Sequence, residues 1–149
     1  MTNDPPYRQG AFFGRRKGHP LRARQADVFS TLLPRLAIDL AAAALARVDL
    51  LYPDPWPKRR HWKRRFVQDR TIAELARIVR PGGEFRFVSD IPDYVAWTLE
   101  RLLRQPAFAW TAERADDWRR PWDGFVTTRY EAKATQAGRV PGYLIFRRQ

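Results

Sequence analysis

Residues 48–65, Val-Asp-Leu-Leu-Tyr-Pro-Asp-Pro-Trp-Pro-Lys-Arg-Arg-His-Trp-Lys-Arg-Arg, govern how this chain is read. Val48 to Tyr52 reads as a short apolar strand. Asp54 then sits between Pro53 and Pro55, whose rings fix φ and remove backbone donors, so the acid is presented from a stiff loop. Lys58, Arg59, Arg60, Lys63, Arg64 and Arg65 follow within eight positions. One carboxylate beside so many cations suggests chemistry on a polyanion. A strand that ends in a rigid acidic loop and leads into a helix matches the carboxyl edge of an open α/β sheet, where ligands bind.

Working outward, His61 to Arg80 is predicted as a helix with basic first turns and an apolar face through Ile72, Leu75, Ala76 and Val79. Pro81-Gly82-Gly83 is expected to stop it. Glu84 to Ser89 alternates around Phe85, Phe87 and Val88 as a buried strand, with Asp90 at its carboxyl end. Val95, Thr98, Leu99, Leu102 and Leu103 mark another amphipathic helix. Phe108 to Ala112 reads as a strand, Asp116 to Phe125 as a tryptophan-rich loop, Thr128 to Ala137 as a helix and Tyr143 to Phe146 as a final strand. On the amino-terminal side, Leu36 to Ala46 favours helix by its alanines, and Gln25 to Leu33 suggests a short amphipathic helix. Phe12 to Arg24 is basic and broken by Gly14, Gly18 and Pro20. The expected organisation is a basic mobile arm over 1–24 and one α/β domain over 25–149. Alternating strands and helices predict a mainly parallel sheet covered on both faces.

A net charge of +12 and a pI near 11.1 favour a phosphate-bearing partner, because neutralising phosphates releases condensed counterions. The absence of cysteine excludes disulfides, thiolate zinc sites and cysteine nucleophiles, and two isolated histidines make a histidine metal cluster implausible. No apolar run approaches the ~20 residues that span a bilayer, and Met1 to Gly10 is unlike a secretory signal. The expectation is a soluble, cytoplasmic protein without a metal or a membrane partner.

The basic first turns of the helix opening at His61 put cations where the macrodipole is positive, which is mildly unfavourable. An approaching phosphate reverses the sign, since helix amino termini and arginines both donate to phosphate oxygens. Trp56 and Trp62 are candidates for stacking on an exposed base; core packing is the alternative for both, and the better reading for Trp62. If the strands before Asp54 and Asp90 are neighbours, both acids face one crevice and can accept from a guanine or a cationic group. The alternative for each aspartate is to cap the next helix. Thr128 and Glu131 have capping-box spacing, which explains them without a ligand.

Four segments carry a resemblance: YPDPWPKRRHWKRR at 52–65, RPGGEFRFVSD at 80–90, TRYE at 128–131 and FGRRKGHPLRARQ at 13–25. Together they resemble the bacterial tRNA (guanine-N7)-methyltransferases over nearly the whole chain. The resemblance implies a Rossmann-like class I methyltransferase sheet. It also implies S-adenosylmethionine as cofactor and tRNA as substrate. Asp54 would then be the catalytic acid that also contacts the cofactor. Lys58, Asp90, Thr128, Arg129, Tyr130 and Glu131 would contact substrate, and Arg60, His61, Trp62, Lys63, Arg64 and Arg65 would contact RNA. Guanine N7 has an exposed lone pair and no proton to remove, so this reaction needs positioning more than a strong base.

The sequence departs from that family at one place. It passes from LAIDL through AAAALAR directly to VDLLYPDPWP, with no Gly-x-Gly upstream of Asp54. Roughly two to three strand–helix units, at about 30 residues each, are absent there. The expected sheet is therefore incomplete, its first strands and its glycine-rich cofactor turn missing. A catalytically inactive tRNA-binding remnant is the alternative reading.

Overall fold

The computed structural model describes residues 42–149. Its elements run β1 (Leu45–Leu51), a 3-10 helix (Arg59–Arg64), α1 (Asp69–Ile78), β2 (Val79–Ser89), α2 (Pro92–Leu103), β3 (Phe108–Trp110), α3 (Asp116–Arg119), α4 (Arg129–Gln136) and β4 (Gly142–Arg148). The strands form one sheet in the order β1-β2-β4-β3. β1 and β2 are parallel, and β4 runs antiparallel to both β2 and β3. The α/β class expected from the sequence is observed, but the sheet is mixed. β4 is the reason: it starts at the edge where β1 and β2 end, so it must run back between β2 and β3.

Alternation along β2 sends Phe85 and Phe87 to one face, where their β4 partners Phe146 and Leu144 join them. All four are fully buried. Val48 and Leu50 lie in register with Phe85 and Phe87 and continue this face into β1. Ile72, Leu75 and Ile78 of α1 and Tyr94, Val95 and Leu102 of α2 cover it, at the three- and four-residue spacing of single helical faces. Each such side chain removed from water contributes about 1.5–3 kcal/mol, which makes this layer the main source of stability.

Three expectations are corrected. The helix expected over 61–80 is two helices, with an extended stretch between them. Val67, fully buried, is drawn into the core there, and the Gln68 N–H donates to Thr71 Oγ1 at 2.9 Å to start α1. Pro81-Gly82-Gly83 does not end a helix, since α1 stops at Ile78 and the three residues sit inside β2. They bulge opposite Ala46, where the register jumps from Leu45↔Val79 to Arg47↔Glu84. Of the helix expected over 36–46, Leu45 and Ala46 begin β1 after a turn in which Ala43 has φ 58°. Pairing with β2 outweighs the small helix preference of alanine. Residues 36–41 of that segment, Gln25 to Leu33 and the arm lie outside the described residues.

Candidate active site

Because β1 and β2 are adjacent and parallel, their carboxyl ends meet at one edge of the sheet, and the Tyr52 N–H donates to the Val88 carbonyl at 2.8 Å. Asp54 follows β1 and Asp90 follows β2, so the condition that their strands be neighbours is met. The loop carrying Asp54 is strained on both sides, with Tyr52 at φ 50° and Trp56 at φ 42°. Left-handed backbone at residues other than glycine costs on the order of 1–3 kcal/mol each and persists only where the surroundings enforce it. Asp54 is exposed, caps no helix and makes no hydrogen bond or ion pair among the described residues. Protein packed around its carboxyl still withdraws enough water to raise its pKa.

Antiparallel β4 begins at the same edge, bringing Tyr143 and the amino terminus of α4 to these acids. Thr128 caps α4, its Oγ1 accepting from the Glu131 N–H at 3.2 Å. The Glu131 side chain turns inward instead of completing a capping box. One of its oxygens accepts from the Tyr143 hydroxyl, while Oε2 is buried without a partner among the described residues. The Tyr52 hydroxyl, also buried there, makes no bond of good geometry. Its ring stacks on the exposed Tyr130 at 6.3 Å, and Trp122 and Phe125 stand edge-on to Tyr143 at 6.3 and 5.4 Å. Burial first, then the Glu131 carboxylate, pushes both Tyr52 and Tyr143 well above the usual tyrosine range. Their hydroxyls therefore remain neutral donors. A buried polar atom without a partner is rare enough to require explanation, and Glu131 Oε2, beside the Tyr52 and Tyr143 hydroxyls, fits a guest that brings a donor.

Asp90 is not a cap. Ile91 occupies that position, Ser89 Oγ accepts the Ile91 N–H at 3.2 Å, and Asp90 accepts from Arg139 Nε at 2.6 Å. Arg139, Tyr52 and Tyr143 were not singled out from sequence. A tyrosine just after the first strand and another at the start of the last were the available signals for two of them.

The basic run divides. Lys58, Arg59, Arg60, Lys63 and Arg64 are exposed, and the Arg64 guanidinium lies 4.9 Å from the Trp56 ring. The His61 pKa is lowered by local desolvation and then by Arg60, Arg64, Lys58 and Lys63. Trp62 is half-buried and packs against Trp97 at 5.2 Å with Arg59 and Arg65 near its ring, outside the hydrophobic core cluster. Arg65 departs from expectation: its side chain is 0 % exposed. A guanidinium with no open face cannot meet a phosphate, and Arg65 is withdrawn from the RNA-contacting set. Arg129 is exposed and lies over the Tyr130 ring at 5.0 Å. Among the described residues no acidic or histidine cluster is placed to hold a metal, and no helix is long and apolar enough to cross a membrane.

Comparison with known proteins shows the family. A family model described as "Putative methyltransferase" matches residues 20–141. A tRNA (guanine-N(7)-)-methyltransferase of Rhodopseudomonas palustris is 42% identical over 228 residues, covering 98% of this chain and 89% of that one. Relatives of the same description from Nitrobacter hamburgensis and Bradyrhizobium diazoefficiens are each 41% identical, covering 95% and 93% of this chain and 88% and 93% of theirs. The aligned span of 228 positions exceeds the 149 residues of this chain, so part of the R. palustris relative faces no residue here. A SAM-dependent O-methyltransferase of Thermotoga maritima shares 18% identity at a TM-score of 0.36, over 76% of this chain and 37% of that one.

Proposed function

Since this chain belongs to the tRNA (guanine-N7)-methyltransferase family, we propose that it methylates N7 of the variable-loop guanine of cytoplasmic tRNA with S-adenosylmethionine as donor. The observation that supports the reading is that the parallel strands β1 and β2 end side by side, so Asp54 and Asp90 follow neighbouring strand ends, while Tyr143 at the start of β4 pairs with the buried Glu131 and five exposed cations follow Asp54 in the chain. The unpartnered Glu131 Oε2 suits the N1 and N2 donors of a guanine edge, and Tyr130 offers an exposed aromatic face for the base. Arg139 holds the Asp90 carboxylate through Nε. Lys58, Arg60, Lys63 and Arg64 draw in the RNA backbone. As N7 bonds to the methyl carbon the purine gains positive charge, which the Asp54 carboxylate favours.

Bound S-adenosylmethionine supplies the electrophilic methyl group. The residues described account for the base and the RNA more fully than for this cofactor. Asp54 is free to accept from it, but none of Gly82, Gly83, Gly124, Gly138 and Gly142 forms a turn between a strand's carboxyl end and a helix. Incubating the chain with unmodified tRNA and methyl-labelled cofactor is expected to yield 7-methylguanine. Calorimetry with the cofactor alone separates two outcomes. Binding without transfer refutes the catalytic assignment, and tRNA binding without cofactor binding leaves a tRNA-binding remnant of the family.

A further inference from the structure

We infer that Arg65 is a positioning residue that fixes the Asp54 loop to the start of α2; the inference rests on the reading of Asp54 given above. Arg65 Nε donates to the Pro55 carbonyl at 2.8 Å, and its Nη2 pairs with the Asp93 carboxylate. Pro55 immediately follows Asp54, and Asp93 lies in the first turn of α2, three residues beyond Asp90. One guanidinium thus joins the segments that leave the two parallel strands.

The loop needs such an anchor. Pro53, Pro55 and Pro57 carry no N–H, so the loop lacks the amides with which most turns tie themselves down. Its carbonyls must be held from outside. Arg65 takes that of Pro55, and Trp62 Nε1 reaches that of Pro57 at 3.4 Å. With left-handed backbone at Tyr52 and Trp56, an unanchored loop would relax away from the geometry observed. The break between the 3-10 helix and α1 turns Arg65 inward, where the rings of Trp62, Tyr94 and Trp97 surround its guanidinium at 4.8, 5.0 and 4.9 Å. A buried charge is tolerated only when paired and bonded: Nε and Nη2 have those partners and three rings face the guanidinium, while Nη1 is buried without a hydrogen-bond partner among the described residues. Lysine has no planar fork with which to serve both Pro55 and Asp93.

The test compares Arg65→Lys with the parent by amide exchange over residues 52–62, by tRNA mobility shift and by methyl-transfer kinetics. The expected result is exchange about tenfold faster in that segment with β2 and β4 unchanged. tRNA affinity should stay within about twofold, while kcat falls about 100-fold at constant KM for tRNA, as misplacement of a reacting group requires. Unchanged exchange together with weakened tRNA binding would overturn the proposal and return Arg65 to the RNA-contacting set. If the parent itself transfers no methyl group, the catalytic reading fails, and exchange and tRNA binding still decide the role of Arg65. Should Arg65→Lys unfold the core, Asp93→Asn removes only the ion pair to a half-exposed partner. A loop-specific rise in exchange there supports the anchor, and none refutes it.

Discussion

Asp54 combines an exposed carboxylate with surroundings that raise its pKa, and both properties can be read in kinetics. Asp54→Asn keeps the shape and removes the charge, so kcat should fall on the order of 100-fold, as when one preorganised electrostatic group is lost. tRNA affinity, set by the cations, should stay within about twofold. The sign of the pH dependence follows. A raised pKa means that the carboxylate takes up a proton at a higher pH than a free aspartate, so activity should decline on the acid side before an ordinary carboxylate would protonate. An acid limb in the kcat profile that persists unchanged in Asp54→Asn would remove this assignment. Tyr143 offers a separate test, because its hydroxyl donates to a buried carboxylate whose other oxygen is already without a partner. Tyr143→Phe should lower unfolding stability by about 1–3 kcal/mol in a urea titration. A loss near zero would mean that water already reaches Glu131.

β2 shows where sequence reasoning succeeds and where it stops. Its pattern over Glu84 to Ser89 was legible, because alternation states directly which side chains are buried. Its first five residues were not, because Pro81-Gly82-Gly83 is also what a helix terminus looks like. What separates the two is long-range: the Ala46 backbone approaches so closely that a Cβ on Gly83 would lie 2.8 Å from the Ala46 carbonyl oxygen and 2.9 Å from that of Arg80. Local propensity carries no record of such contacts. The site was legible to a similar degree. Asp54, Asp90 and Glu131 each lie next to a strand or helix terminus, whereas the inward turn of Arg65 depends on Asp93 and on rings from α2. The bulge yields a graded prediction. Gly82 has φ 75° with open space around its missing Cβ, so Gly82→Ala should cost on the order of 1 kcal/mol of backbone strain. Gly83→Ala must displace backbone and should cost more, about 2–4 kcal/mol. Denaturant midpoints of the two variants, taken together, decide it, and equal losses would contradict the close approach of β1 to β2.

The net charge of +12 attracts any polyanion, and the arrangement of that charge determines whether the attraction is specific to one surface. Lys58, Arg59, Arg60, Lys63 and Arg64 are exposed in the segment that follows the strand end carrying Asp54, while Arg147, near Glu84, lies at the opposite end of the strands and Arg104 closes the other end of α2. Binding through a defined patch releases a fixed number of counterions, so the slope of log affinity against log salt falls by about 0.7–0.9 for each phosphate contact removed. Lys63→Ala with Arg64→Ala should therefore flatten the slope for tRNA by about 1.5 and weaken binding most at low salt. Arg104→Ala with Arg147→Ala removes the same net charge from exposed positions away from that edge. It should leave the slope nearly unchanged. Mobility shifts over a salt series compare the two pairs directly. Equal flattening by both would show diffuse attraction to the whole molecule and would separate the basic helix from the carboxylates it is proposed to serve.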